Sequence, residues 1–276
     1  MRKENRWNEI RTLVFDLDGT LYHDGQLYLD YLHFLLEGST WEDSYDALCN
    51  YVREVLDGKH LKLNGTYRCQ RLQVDSLEEL FSQLEELYVA DPTWEQLADS
   101  RHFVYLGDLW YILRLIGEAL GLLDGERSND VYLKTRDRMV QRGLHITPRL
   151  RKVITELVPQ RRVVLLTNSP HDTAMQFLRT LQCDDLFSHT ITHAGKPTGM
   201  EKALRETFGA DFLDTPETVL SIGDHMLNDL MPLKQCGCKT LWINNFNVEV
   251  DADCDYVIHG PVELTDFLEQ LCTDAE

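Results

Sequence analysis

No stretch of this 276-residue chain stays apolar for long enough to cross a bilayer. Its first ten residues, MRKENRWNEI, also lack the apolar centre of a secretory leader. Positive charge is scarce, with 27 Lys and Arg against 46 Asp and Glu and a net charge of −19. Such a field repels nucleic-acid backbones and anionic lipid surfaces, so neither a polymeric nucleic acid nor a membrane is expected as partner. A small phosphorylated substrate remains compatible, because a few local cations and a metal overcome the global field. Cysteine occurs seven times but never as CxxC, and Cys236-Gly237-Cys238 stands too isolated for a zinc site. The expectation is reduced thiols in a cytoplasmic protein. Internal repeats and low-complexity segments are missing as well.

What is present suffices for a large core, since 43% of the residues are hydrophobic. From about residue 145 onward, short β-branched runs alternate with amphipathic stretches. RVVLLTNS (162–169), SHTITHAG (188–195), TVLSIGD (218–224), KTLWIN (239–244) and DYVIHG (255–260) read as strands. Between them, DTAMQFLRTLQC, GMEKALRETFG, MLNDLMPLKQCG and finally VELTDFLEQLC read as helices. Continuous apolar strands separated by helices predict an α/β fold, a parallel sheet covered on both faces. RTLVFDLD, near the start, supplies its first strand. Residues 24–145 have a different texture, with helical periodicity throughout and almost no strand signal. They predict an all-helical insertion, leaving residues 1–23 and 146–276 as the α/β core.

The polar residues collect at the carboxyl ends of these strands, where open α/β sheets bind ligands. Asp16 and Asp18 end the first strand, and Thr167 and Asn168 end VVLLTN. Lys196 follows the third strand, Asp224 ends LSIGD, and Asp229 comes five residues later. Any one of them alone is ordinary helix-cap or turn chemistry. Carboxylates gathered at one sheet edge repel each other unless a cation sits among them, and oxygen-only ligands point to Mg²⁺. A lysine and a threonine hydroxyl at the same edge complement the oxygens of a phosphate. The helix beginning after Asn168 adds backbone donors.

The order Asp16-Leu17-Asp18-Gly19-Thr20, then Thr167-Asn168, then Lys196-Pro197, then Gly223-Asp224 through Asp229 resembles the haloacid dehalogenase (HAD) superfamily. All four motifs occur in order and span the α/β part of the chain. The resemblance implies a Rossmann-like parallel sheet with an inserted helical cap, as in subclass I. It also implies a Mg²⁺-dependent phosphomonoester hydrolase. Asp16 would attack phosphorus to form an aspartyl-phosphate. Asp18 would protonate the leaving oxygen and then deprotonate the hydrolytic water. Thr167, Asn168 and Lys196 would bind the phosphoryl group. The metal would rest on Asp16, the Asp18 carbonyl and Asp224, with Asp229 orienting Lys196 or a water. Residues i and i+2 of a strand share a face, so the spacing of Asp16 and Asp18 lets both reach one phosphate.

Asp18 favours the phosphatase branch, because dehalogenases lack an acid there. A phosphomutase, or a member that binds without turnover, remains an alternative. A nucleoside 5′-monophosphate or a sugar phosphate would suit a cap carrying Tyr67, Arg68 and Arg71, although solvated helix charges explain these residues equally well. His23 and Asp24 could approach substrate but read more simply as a linker, and His225 is expected to point away from its neighbour's site.

Overall fold

The computed structural model describes residues 9–246, 248 and 253–273. Residues 1–8, most of the stretch read for a leader, lie outside them. Among the described residues no helix is long and apolar enough to cross a membrane. The chain divides into two compact units, Met1–His23 with Gly143–Glu276, and Asp24–Arg142.

Strand β1 (Thr12–Phe15) opens the first unit, every residue buried. The second unit then runs through α1 (Leu27–Leu36), α2 (Tyr45–Leu56), β2 (Thr66–Arg68), α3 (Leu77–Glu86) and β3 (Tyr88–Val89). It continues with α4 (Trp94–Ala98), β4 (Phe103–Tyr105), α5 (Leu109–Ala119) and α6 (Gly125–Gln141). Back in the first unit come α7 (Pro148–Leu157), β5 (Arg162–Leu166), α8 (His171–Thr180), β6 (His189–Ile191) and α9 (Met200–Phe208). Then follow β7 (Val219–Gly223), α10 (Met231–Gln235), β8 (Lys239–Ile243), β9 (Tyr256–Ile258) and α11 (Gly260–Thr273).

Six strands of the first unit form one parallel sheet in the order β6-β5-β1-β7-β8-β9. β1 is central, with Val14 opposite Val164 on one side and Ser221 on the other. The sequence runs of β5 and β7 are apolar without alternation because helices cover both faces. Thr147 caps α7 by accepting the Leu150 N–H, and Pro148 fits the first turn, where no donor is needed. The strand order reverses direction between β1 and β7, which opens a crevice at their carboxyl ends. That crevice lies where the acids Asp16 and Asp224 leave the sheet.

The second unit is mainly helical, its longest helix, α6, lying against α1. It is not all-helical, however: β3, β2 and β4 form a small antiparallel sheet with Thr66 opposite Val89 and Tyr105. Two or three residues per strand are too few for alternation to show, so helical periodicity masks them. ELYV reads as the end of a helix, whereas α3 stops at Glu86 and Tyr88–Val89 pairs with β2. Tyr67 is buried, its hydroxyl accepting the Lys62 N–H at 2.6 Å. It belongs to this unit's core and offers no face for stacking. Where this unit begins and ends, Arg142 forms ion pairs with Asp24 and Asp30.

Candidate active site

Asp16 leaves β1 with its N–H still donating to Ile222 O at 2.9 Å, so the sheet holds its backbone. The turn that follows requires Gly19. Its φ is +78°, and a Cβ there would lie 1.8 Å from Asp224 Oδ2. The Asp224 carboxylate therefore packs directly against the loop that carries Asp16 and Asp18. Thr20 turns its hydroxyl back towards Asp16 Oδ2 at 3.5 Å.

Lys196 reaches across from the loop after β6. Its Nζ donates to Asp16 Oδ1 at 2.7 Å and to Asp229 Oδ1 at 2.6 Å, and all three side chains are buried. Asp229 sits in a wide π-helical turn, Met226–Leu230, where a regular helix is the sequence expectation. Such turns shift side-chain register and recur at functional sites. Asp229 Oδ2 accepts the His225 N–H at 3.0 Å, and Ser221 Oγ donates to Asp229 O at 2.5 Å. His225 Nδ1 accepts the Asn228 N–H at 3.1 Å.

Charge is unbalanced here. Carboxylate oxygens of Asp16, Asp224 and Asp229 all lie within 4.8 Å of one another, with Lys196 bonded to two of them. Burial, reinforced by Asp229 and opposed by Lys196, pushes the Asp16 pKa up to about 7. Burial alone would lower the Lys196 pKa, but Asp16 and Asp229 outweigh it and hold the ammonium above the ordinary lysine value. Asp16, Asp224 and Asp229 form a cluster that could hold a metal ion. The all-oxygen donor set fits a hard divalent ion. Asp224 is the third member of the cluster, and its carbonyl accepts Trp242 Nε1–H at 2.8 Å.

The remaining expected residues converge on the same edge. Thr167 is buried at the end of β5, and its Oγ1 accepts the Ser169 N–H at 3.1 Å. Both ends of the Asn168 side-chain amide bond the Lys196 main chain. Oδ1 accepts the Lys196 N–H at 2.7 Å, and Nδ2 donates to Lys196 O at 3.2 Å. Asn168 therefore holds the lysine loop in place. Asp18 accepts hydrogen bonds from the hydroxyls of Tyr22 and, at 3.4 Å, Ser169.

Three residues of this site escape the sequence pattern: Tyr22, Ser169 and Asn245. Asn245 Nδ2 donates to Gly19 O at 2.8 Å and Asp224 Oδ2 at 3.3 Å, tying Asp224 to the β1 loop. Its place just past the end of β8 is the one signal that could have marked it, since ligand residues gather at strand ends.

The family model for haloacid dehalogenase-like hydrolases matches residues 10–237. The chain belongs to that family. Solved structures of the same fold agree over nearly the whole length. One, from Bacillus subtilis, is assigned as a HAD-hydrolase and bound to magnesium. It is 18% identical, covers 94% of this chain and 98% of that one, and has a TM-score of 0.52. A Thermotoga maritima protein assigned as a β-phosphoglucomutase is 15% identical over 95% and 99% of the two chains, with a TM-score of 0.53. A protein of Haemophilus somnus, predicted to be a phosphoglycolate phosphatase, is 16% identical over 94% and 98%, with a TM-score of 0.52. At these identities the likeness establishes the fold alone. No curated protein sequence matches the chain.

Proposed function

We propose that this HAD hydrolase is a Mg²⁺-dependent phosphomonoesterase that works through an aspartyl-phosphate on Asp16. The observation that carries the proposal is the division of partners between the two acids of the β1 loop. Asp16 is buried against Lys196 and stands with Asp224 and Asp229. Asp18 faces hydroxyls instead. The two carboxylates thus stand among different partners, the arrangement that lets two acids take different roles.

In the proposed reaction, an Asp16 oxygen forms a bond to phosphorus as the bond to the leaving oxygen breaks. Asp18 gives its proton to that oxygen, then takes one from the water that cleaves the aspartyl-phosphate. The Thr167 hydroxyl and the backbone at Asn168 steady the phosphoryl oxygens. Lys196 balances their charge, kept in register by the Asn168 amide and by Asp229. Mg²⁺ would rest on Asp16, Asp224 and the Asp18 carbonyl and would supply electrostatic stabilisation of the charge on the transferring group.

We read the Asp24–Arg142 unit as the cap that selects the substrate, a small phosphorylated metabolite such as a nucleoside 5′-monophosphate or a sugar phosphate. All seven thiols are free, which supports a reducing, cytoplasmic setting. A panel of phosphate esters with Mg²⁺, scored by inorganic phosphate, tests the proposal. Release that vanishes in Asp16→Asn supports it. An isomerised product with no free phosphate would mark a phosphomutase, and silence across the panel would mark a binding protein.

A further inference from the structure

The loop after β8 meets the loop after β1, and its own bonds keep it there. Asn244, buried just past the end of β8, donates its N–H to Ile258 O at 2.8 Å. Its side chain closes the loop on itself, Oδ1 accepting the Val248 N–H at 3.0 Å and Nδ2 donating to Val248 O at 2.9 Å. Between those anchors the Asn245 N–H donates to Ile243 O at 3.0 Å. The Phe246 ring meets His23 edge-on, with centroids 6.3 Å apart. Asn245 therefore offers its side chain to Gly19 and Asp224 from a fixed backbone.

Chemistry settles which way its amide faces. Gly19 O can only accept, so the nitrogen must turn to it, and that nitrogen carries two hydrogens. They match its two acceptors, Gly19 O at 2.8 Å and Asp224 Oδ2 at 3.3 Å. The end of β8 grips Asp224 a second time, through Trp242 Nε1 on its main-chain carbonyl. The other two acids of the cluster, Asp16 and Asp229, share the Lys196 ammonium. A cation holds a carboxylate by cancelling part of its charge. An amide N–H holds it and leaves the charge in place, which is the kind of partner that orients a metal-binding acid.

We propose that Asn245 is a positioning residue for the metal, holding the Asp224 carboxylate as the divalent cation needs it and so setting the affinity for that ion. This rests on the reading of Asp224 as a metal ligand. Asn245 touches neither the phosphoryl group nor the reacting atoms. It acts through Asp224 and through Gly19, whose approach to Asp224 leaves no room for a Cβ.

The test is calorimetric titration of the full chain with Mg²⁺ after treatment with chelator. Asn245→Leu nearly keeps the size of the side chain and removes both donors. It is expected to weaken Mg²⁺ binding about tenfold, the lower end of what hydrogen-bond partners of metal ligands are worth, given the 3.3 Å bond. The Mg²⁺ concentration for half-maximal phosphate release should rise by the same factor, with kcat at saturating Mg²⁺ within about threefold of the wild type. Asn245→Ala stands in if Asn245→Leu folds poorly. A merely structural tie would lower the melting temperature in chelator and leave the Mg²⁺ affinity of the folded protein alone. An affinity within about twofold of the wild type therefore overturns the inference. Asp224→Asn separates the two claims. If it weakens Mg²⁺ binding while Asn245→Leu does not, only the inference falls. If it binds Mg²⁺ as the wild type does, or the wild type binds none, the functional reading falls as well.

Discussion

Replacing the proposed nucleophile should stabilise the metal-free protein, and the size of that gain follows from the charge arrangement. Folding moves the Asp16 carboxyl from 3.8 to about 7, so the folded state holds its proton more tightly than the unfolded chain does. The stability linked to that proton is fully present below pH 3.8 and is lost as pH rises through about 7. At 1.36 kcal/mol per pH unit the loss is on the order of 1–2 kcal/mol at pH 5 and about 4 kcal/mol above pH 7. Asn has the shape of the protonated acid and cannot ionise. Asp16→Asn should therefore match the wild type near pH 4 and exceed it by up to about 4 kcal/mol at pH 7.5. For a chain of this size that is up to about 8 °C in melting temperature. The assay is thermal melting in chelator across pH 4–8, run beside turnover with Mg²⁺. Excess Mg²⁺ should narrow the gap by stabilising the wild type alone, since binding adds RT ln(1 + [L]/Kd). A gap that stays flat with pH, or a variant less stable than the wild type at pH 7.5, would refute the reasoning.

Lys196→Met should cost about 3–5 kcal/mol in chelator, because it leaves Asp16 and Asp229 buried without their shared cation; urea unfolding measures it, and a loss under 1 kcal/mol would show that the pair is not desolvated. Gly19→Ala places a Cβ in the space of Asp224 Oδ2 at a φ of +78°, so the Mg²⁺-induced rise in melting temperature should disappear while the fold persists. Cys183 and Cys238 are buried, and burial pushes each thiol up to about 12; iodoacetamide at pH 8 should modify them only as fast as the protein unfolds, which mass mapping over time will show.

How much of this was legible in the sequence depended on the range of the interaction. The parallel core announced itself because β1, β5 and β7 are short apolar runs with no alternation, which only a doubly covered sheet explains. Asp16, Lys196 and Asp224 were legible because each ends or follows a strand, and the sheet order brings strand ends together. The second unit's sheet was not, since Tyr88–Val89 continues a helical rhythm and becomes strand only through pairing with Thr66 and Tyr67. The structural role of the Asn168 amide was not legible. Its amide finds the Lys196 main chain 28 positions along, a contact that local pattern does not encode. Asn245 and Gly19 are still farther apart in sequence, at 226 positions.

These long-range contacts share a purpose. Each polar group that the local pattern could not place (Asn168, Tyr22, Asn245) spends its hydrogen bonds holding another site residue in position, rather than facing a substrate. The charged groups at the strand ends form an arrangement that burial and repulsion make costly, as the raised Asp16 carboxyl shows. Left alone, such acids would swing towards the nearest cation or towards water. The neutral groups oppose this without adding charge: Asn168 clamps the lysine loop, Asn245 ties Asp224 to Gly19, and the Tyr22 hydroxyl bonds Asp18. The acids at the strand ends are therefore held in place by neighbours that carry no charge of their own near neutral pH.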